Sequence, residues 1–451
     1  MDDLYNWSYF PETNIFTFAF KFYDKSSRYR PFYDAVQYIE YLIVAHKPIL
    51  FTYINIAFNS VIALFIYHFS KKLKASWIVA FIVSLMYILS HFSYYQIGQA
   101  TGLVESLSLL ISLLILYKAI SYIQEKNEKT FLDMVVLYFI MAFTHERFLF
   151  MYGIIVFSII FSEMINKIKL TSKQRLDGIT NMQSKTINAL LKIFVVSCEV
   201  VIILFIRKMA LGKVLPAGTA GTYVEDTFDI KQMIGFCINQ VQYIFGMNKG
   251  PQHLCGIDFS NLSKEVRYFT VLHMVVFLMF ILVYMIIKVV YVIDKKNTTK
   301  ENRDKNAFVY FIQNFYIDIL ILEYIAFSII FSSVTIRLEM RFVYTSFTAM
   351  IIYLSYMVGY ICGIPYENVS IIGIVKTICI FCFVMIMGLR VPAEIAYRDN
   401  YKYIYFFGDQ ARYNSLAENT VYRYGEDIID KKKVYIVGNS YNVSKFYGDY
   451  F

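Results

Sequence analysis

Long apolar segments alternate with short polar ones along most of the chain, and this pattern predicts membrane-spanning helices. A bilayer core of about 30 Å needs about 20 consecutive apolar residues in a helix. About ten segments approach that length: residues 49–70, 75–94, 101–121, 131–144, 148–164, 187–207, 268–293, 307–334, 344–363 and 371–389. The pattern therefore predicts an all-α polytopic membrane protein with about ten transmembrane helices.

Lysine and arginine are concentrated in alternate loops, and this bias predicts the orientation of the helices. The basic loops contain Lys71, Lys72, Lys74, Lys126, Lys129, Lys167, Lys169, Lys173, Arg175, Lys185, Lys295, Lys296, Lys300, Arg303 and Lys305. Short basic loops stay on the cytoplasmic side of a membrane. We therefore expect a transmembrane domain over 49–389, with the region 1–48, the long loop 208–267 and the C-terminal tail 390–451 all outside.

Two external segments have an apolar face but are too short or too polar to span a membrane. The first, "PFYDAVQYIEYLIVAHK" (31–47), places Phe32, Val36, Ile39 and Ile43 at helical spacing after Pro31. The second, "FDIKQMIGFCINQVQYIFGM" (228–247), lies inside the long external loop. We expect both to form amphipathic helices in the outer interface. The tail is rich in tyrosine and mixed in character, with a candidate strand at "KKVYIVGN".

Composition supports the membrane assignment and narrows the partners. Hydrophobic residues make up 58% of the chain and charged residues 17%, whereas globular domains contain about 25% charged residues. The net charge of +9 comes from short clusters between apolar segments, so it indicates topology and we expect no nucleic-acid partner. The histidines lack metal-ligand spacing, so no cofactor is predicted and a divalent metal has no support in the sequence.

Four groups of polar residues converge on the outer side of the predicted bundle. They are Asp2 and Asp3; Glu105; His145, Glu146 and Arg147 in "THERFLF"; and Arg337, Glu339 and Arg341 in "RLEMRFVY". Taken singly, Glu105 also fits a carboxylate that reaches the interface, and Arg337 and Arg341 fit ordinary loop charges. Together they predict an outward cavity suited to acid–base chemistry on an anionic substrate.

The "THERFLF" turn carries the strongest signal of the four. The preceding span, 131–144, would be only about 21 Å long at about 1.5 Å per residue, so the turn should lie below the outer membrane surface. Polar groups at that depth must line a water-filled cavity or pack against protein. A plain helix–helix turn with an internal Glu–Arg pair is the alternative.

Three further carboxylates lie within predicted spans: Glu199, Asp318 and Glu323. Proton or ion coupling would explain them, and so would hydrogen bonds between helices by protonated acids. We favour the second explanation.

The order of these motifs resembles that of the GT-C superfamily of integral membrane glycosyltransferases. The shared features are an acidic pair, a "YRPFYD" amphipathic helix, a glutamate opening a span, a "HE" turn and an outward "EMRF". The resemblance extends to about residue 363, and its nearest members are protein O-mannosyltransferase-like and bacterial polyprenyl-phosphate-sugar-dependent enzymes. The family's first transmembrane helix precedes the acidic pair, and we expect this chain to lack it.

The resemblance implies a role for each group of polar residues. Asp2 or Asp3, with Asp3 favoured, would act as general base or orient the acceptor. Catalytic or acceptor-positioning roles would fall on Glu105, His145 and Glu146, and the donor phosphate would be bound by Arg341, with Arg337 and Arg30 as further candidates. The implied partners are a lipid-linked sugar donor, a glycan, lipid or protein acceptor, and the membrane.

The implied function is sugar transfer from a polyprenyl-phosphate-linked donor on the extracytoplasmic face of the plasma membrane. A lipid-linked oligosaccharide transporter is one rival, although the internal repeats and broken paired helices of such proteins are not evident. A polysaccharide polymerase is another, because it would also use outward arginines and a large external loop.

Overall fold

The computed structural model of the protein describes residues 14–20, 28–44, 49–98, 102–171, 178–215, 223–249, 257–298, 306–365, 369–400, 415, 419 and 422–425. Its α-helices are, in chain order, α1 (Ile15–Ala19), α2 (Pro31–Val44), α3 (Ile49–Lys72), α4 (Trp77–Leu89), α5 (His91–Ile97), α6 (Gly102–Glu125), α7 (Glu128–Ala142), α8 (Met151–Thr171), α9 (Gly178–Leu211), α10 (Val224–Thr227), α11 (Ile230–Ile244), α12 (Lys264–Thr298), α13 (Ala307–Ser333), α14 (Tyr344–Gly363) and α15 (Val369–Asp399). Three 3₁₀ helices add Glu146–Phe150, Phe259–Asn261 and Met340–Phe342.

Eight helices in the described chain are long and apolar enough to cross a membrane, and a ninth is added if α4 and α5 form one span. The protein is therefore an all-α polytopic membrane protein. The prediction of ten spans was too high by this measure. The predicted span 131–144 corresponds to α7, whose 15 residues reach about 22 Å.

The predicted span 75–94 is broken rather than straight. The axes of α4 and α5 differ by 53°, and the break falls at Ser90, whose backbone is extended and whose side chain caps α5. This bend places α5 at the end of the bundle where it packs beside α6 and the 3₁₀ helix Met340–Phe342.

Helices α6 and α14 form the centre of the bundle, because most of their side chains are buried on all sides. Both contain small hydroxyl residues among their apolar ones, including Ser106, Ser112, Thr348 and Ser355. Small residues allow close helix packing in a membrane, and their hydroxyls bond locally or to neighbouring helices. Helices α3, α9, α12 and α15 lie outside and expose large apolar side chains.

Both predicted amphipathic helices are present, with their polar sides toward the protein. Helix α2 exposes Ile39, Leu42 and Ile43 and buries Gln37 and Glu40. Helix α11 exposes a stripe of Ile230, Ile234, Ile238 and Val241. An outward apolar face is the arrangement expected of a helix lying against lipid.

Two predicted boundaries need correction. The last helix does not end at 389 but continues to Asp399, so residues 390–399 belong to α15 rather than to an external tail. Helix α9 likewise extends to Leu211, inside the predicted loop 208–267. In both cases the helix continues beyond the position at which the mean hydropathy of the sequence decreases. The candidate strand in the tail lies outside the described residues.

Asp318 is ion-paired with Lys288, and both side chains are fully buried between α12 and α13. The hydroxyls of Tyr284 and Tyr353 also donate to the Asp318 carboxylate, at 2.6 and 3.1 Å. The expectation of hydrogen bonds between helices therefore holds for Asp318, but its partner is a lysine, which the sequence analysis overlooked. The carboxylates of Glu199 and Glu323 have no hydrogen-bond partner within the described residues.

Candidate functional site: an arginine-lined cavity at one end of the bundle

Polar side chains from four parts of the chain meet in a cavity of about 200 Å³ at one end of the bundle. Arg28 and Arg30 precede α2, Glu105 lies in the first turn of α6, and Arg341 lies in the 3₁₀ helix Met340–Phe342. The remaining lining residues are His145, Glu146, Arg147, Leu215, Val224, Phe331, Ser332, Val334, Thr335 and Phe342. We call this space the arginine cavity.

The turn between α7 and α8 is shaped by its own side chains. The hydroxyl of Thr144 donates to the carbonyl of Ile140 (2.8 Å) as α7 ends. His145 then takes an extended backbone and caps the 3₁₀ helix, its Nδ1 accepting from the backbone N–H of Arg147 at 3.3 Å. His145 and Glu146 are almost completely buried. The turn therefore packs into the protein, as expected from the short length of the preceding helix.

Glu146 forms a bidentate ion pair with Arg30. The Nε and Nη2 atoms of Arg30 donate to the two carboxylate oxygens of Glu146 at 2.7 and 2.8 Å. Both side chains are buried. Parallel donation of this kind is the strongest geometry for an arginine and a carboxylate, and it connects the segment before α2 to the turn before α8.

Glu105 is buried and forms a second ion pair, with the partly exposed side chain of Arg147. The guanidinium of Arg147 also lies over the ring of Phe342, 4.4 Å from its centroid. His145 lies between the two pairs, with Nε2 3.5 Å from Glu105 and Nδ1 3.7 Å from Glu146. Glu105 is only 2% exposed, so it is not a carboxylate reaching toward the interface.

A third pairing lies beside the cavity. Glu339 is buried and contacts both Arg341 and Arg337, the latter at 3.0 Å. Arg341 lines the cavity, whereas Arg337 does not and has a side chain that is 43% exposed. The two arginines therefore share one carboxylate but differ in access to the cavity.

The cavity has an excess of positive charge. Among the described residues, four arginines and two glutamates line it, and these side chains have a formal charge of +2 when His145 is neutral. Each of these glutamates is already paired with an arginine. A cavity of about 200 Å³ with excess guanidinium groups is suited to binding an anion, and phosphate oxygens match the planar fork of arginine.

The charges shift one another's pKa values. Nearby Arg30, followed by burial, lowers the pKa of Arg28 to about 10. Burial, followed by Arg30 and Arg147, lowers the pKa of His145 to about 3, so its imidazole is neutral near pH 7. Burial lowers the pKa of Arg341, but Glu339 and Glu105 outweigh it and raise the pKa above its usual value. Arg341 is therefore a permanent cation.

The structure brings together Arg30, Glu105, His145, Glu146 and Arg341 from the predicted site, and leaves Arg337 at its edge. Asp2 and Asp3 lie outside the described residues. Three further charged residues were not predicted: Arg28, which lines the cavity, and Asp34 and Arg207, which do not line it but interact electrostatically with Glu146. The "RYRPF" spacing would have indicated Arg28, while Asp34 lies one helical turn after Arg30, and burial raises its pKa to about 7.

Arg207, near the end of α9, is fully buried, and its guanidinium nitrogens make no hydrogen bond to any described residue. It acts electrostatically on Glu146. No group of three or more metal-ligating side chains occurs among the described residues.

No protein family model, no curated protein and no solved structure matches this chain.

Proposed function

We propose that the protein is a GT-C-type membrane glycosyltransferase that takes its sugar from a polyprenyl-phosphate-linked donor. The observation that supports this proposal most strongly is the arginine cavity, with its formal charge of +2 at one end of an apolar helical bundle. A donor of this class joins an anionic phosphate to a long hydrocarbon chain, and the cavity and the bundle surface match these two parts.

The phosphate would lie against Arg341, with Arg28 on the same cavity wall. As the glycosidic bond breaks, the bonding electrons move to the phosphate oxygen, and charge accumulates there. A fixed guanidinium beside that oxygen stabilises the transition state more than the ground state. Arg30 and Arg147 are held in place by Glu146 and Glu105. We therefore propose that these four residues maintain the shape of the cavity in addition to any contact with the donor.

The hydrocarbon chain would pass beside α11. The polar side of α11 is fixed to α13, because Gln240 Nε2 donates to Ser333 Oγ (2.8 Å) and its Oε1 accepts from Ser332 Oγ (2.8 Å). Ser332 also lines the cavity, as do Leu215, Val224 and Phe331. The outer stripe of α11 is apolar and exposed, and its polar side packs against the part of α13 that lines the cavity.

The general base would take the proton of the acceptor hydroxyl as the new glycosidic bond forms. Glu105 and Glu146 are poorly suited to this role, because ion pairing with arginine stabilises their ionised, weakly basic forms. We keep the role proposed for Asp2 or Asp3. Burial raises the pKa of Asp34 to about 7, but Asp34 does not line the arginine cavity, so we assign it no catalytic role.

We propose that the cavity faces the extracytoplasmic side of the plasma membrane. The loops at the opposite end of the bundle contain the lysine clusters that the positive-inside rule assigns to the cytoplasm. The acceptor would then be a glycan, lipid or protein outside the cell.

A polysaccharide polymerase is the second candidate function. Both cavity glutamates are paired with arginines. A site dominated by arginines fits activation of a phosphate leaving group better than it fits carboxylate catalysis, and this favours the polymerase. The products separate the two functions, since a transferase adds one sugar and a polymerase forms a ladder of lengths. A transporter would break no glycosidic bond.

The test compares Arg341→Gln with Arg337→Gln in the full chain reconstituted in liposomes. The probes are radiolabelled polyprenyl-phosphate hexoses and pentoses, with a membrane extract as acceptor, and the readout is release of polyprenyl phosphate. We expect Arg341→Gln to reduce release at least tenfold and Arg337→Gln to change it less than twofold, because only Arg341 lines the cavity. Equal rates in the two variants, or no cleavage of any donor by the wild type, would refute the proposal.

A further inference from the structure

A second polar cluster lies at the same end of the bundle, on the side of α5 away from the arginine cavity. Here α4 and α5 flank the last three turns of α15 and enclose a groove of about 260 Å³. Tyr94 lines this groove, whereas its neighbour Tyr95 acts electrostatically on Arg341 in the arginine cavity. The two spaces are therefore separated by a single short helix.

The groove has apolar walls, and its charged residues, Arg390, Glu394 and Arg398, lie along α15 beyond Met387. Ile82, Leu85, Met86, Leu89, Met387, Val391 and Ile395 form its walls, and several of these side chains are about half exposed. From Met387 to Arg398 the helix rises about 16 Å, close to half of a bilayer core of about 30 Å. The groove thus has the length of one membrane leaflet.

One hydrogen-bond donor among these charged residues has no acceptor in the described part of the protein. Arg390 is 2% exposed; its Nε donates to Glu394 (2.6 Å) and its Nη1 to the carbonyl of Ile244 (2.7 Å). Its Nη2 has no acceptor among the residues described. Glu394 is shared, because it also accepts from the backbone N–H of His91 at 2.7 Å.

A second arginine extends the positive charge to the surface. Arg398 lines the groove and is paired only with its exposed neighbour Asp399 in the described chain, at 3.2 Å. Exposed pairs of this kind contribute little. Among the described residues that line the groove, Arg390, Glu394 and Arg398 together have a formal charge of +1.

We propose that this groove binds a phospholipid with an anionic headgroup from the same leaflet. Its acyl chain would lie along Ile82, Leu85 and Met387, and its phosphate would lie between Arg398 and the buried, unpaired Nη2 of Arg390. The leaflet length of the groove, its exposed apolar walls and its excess of arginine all match this ligand.

The test measures lipid retention by native mass spectrometry of the full chain, exchanged into phosphatidylcholine nanodiscs that contain phosphatidylglycerol. We expect the wild type to retain one phosphatidylglycerol at least fivefold more strongly than Arg390→Gln or Val391→Trp. Val391→Trp fills the groove from a half-exposed position, so it tests the site without disturbing the Arg390–Glu394 pair. Arg267→Gln is the control, because Arg267 lies at the same end of the bundle but outside the groove, and it should retain the lipid.

Equal retention of phosphatidylglycerol and phosphatidylcholine by the wild type would overturn the proposal, and so would retention by both groove variants. Displacement of the lipid by inorganic phosphate alone would also overturn it, because the site would then recognise a free anion. This assay requires no sugar transfer, so its result is independent of the function proposed for the arginine cavity.

Discussion

At the residue scale, the buried arginines determine what the neighbouring acids can do. Glu105 and Glu146 have the positions expected of catalytic carboxylates, but each is buried and paired with an arginine. Removing either partner of such a pair leaves an unpaired buried charge, at a cost of about 3–5 kcal/mol. We therefore interpret the pairs as the framework that orients Arg30 and Arg147 around the cavity.

Asp34 provides the prediction at this scale. Burial raises its pKa to about 7 in the folded protein, against about 3.9 in an unfolded chain. The folded state therefore binds its proton more tightly, so this contribution to stability is complete below about pH 4 and decreases as the pH rises through 7. We expect Asp34→Asn to increase the melting temperature relative to wild type at pH 8 and to increase it by much less at pH 5, where most of this contribution is still present.

Thermal unfolding of the full chain in detergent at both pH values checks this expectation. Asp133→Asn is a matched control, since Asp133 lies in a partly exposed pair with Lys118. A melting-temperature difference between wild type and Asp34→Asn that is the same at pH 5 and pH 8 would contradict the assignment.

At the scale of elements, the close approach of α5 and α6 determines where Glu105 lies. A Cβ atom on Gly102 would be 1.8 Å from the carbonyl oxygen of Gln96. Only glycine allows α6 to begin so close to the end of α5. Glu105 follows one helical turn later and reaches Arg147 from that starting point.

The prediction at this scale is that Gly102→Ala shifts the start of α6 and weakens the Glu105–Arg147 pair. Forcing an extra carbon into a packed region costs about 1–3 kcal/mol, so the free energy of unfolding should fall by about that amount. Denaturant titration of the purified chain measures it.

Gly363→Ala is the control for this comparison, because nothing described lies within 4 Å of a Cβ at Gly363. It should be neutral or slightly stabilising, because alanine favours a helix over glycine. Equal destabilisation by the two substitutions would show that the contact with Gln96 is not the cause.

At the scale of the whole molecule, the orientation of the bundle decides which compartment the arginine cavity opens to. Ser260 is exposed at the cavity end, close to the start of α12, and Lys129 is exposed at the opposite end, in the first turn of α7. The positive-inside rule assigns these ends to opposite sides of the membrane.

We expect Ser260→Cys to react with a membrane-impermeant maleimide in intact cells, and Lys129→Cys to react only after permeabilisation. The six native cysteines would first be replaced by serine. The reverse labelling pattern would place the cavity in the cytoplasm and remove the basis for an extracytoplasmic glycosyl transfer.

The sequence by itself determined the membrane class, the approximate positions of the helices, the two amphipathic helices and several members of the polar cluster. Hydropathy, helical periodicity and loop charge are properties of local segments, so they can be interpreted without contacts. They could not show that α4 and α5 bend by 53°, or that α15 continues to Asp399.

Only the tertiary structure decided the partners of the charged residues. Arg30 and Glu146 are 116 positions apart, and Lys288 joins Asp318 from another helix; sequence spacing contains no information on such pairs. Burial also determines the pKa values of His145 and Asp34, because the energy of a charge depends on the groups packed around it. For this reason the chain showed where polar residues gather, and the fold showed that arginines dominate the cavity.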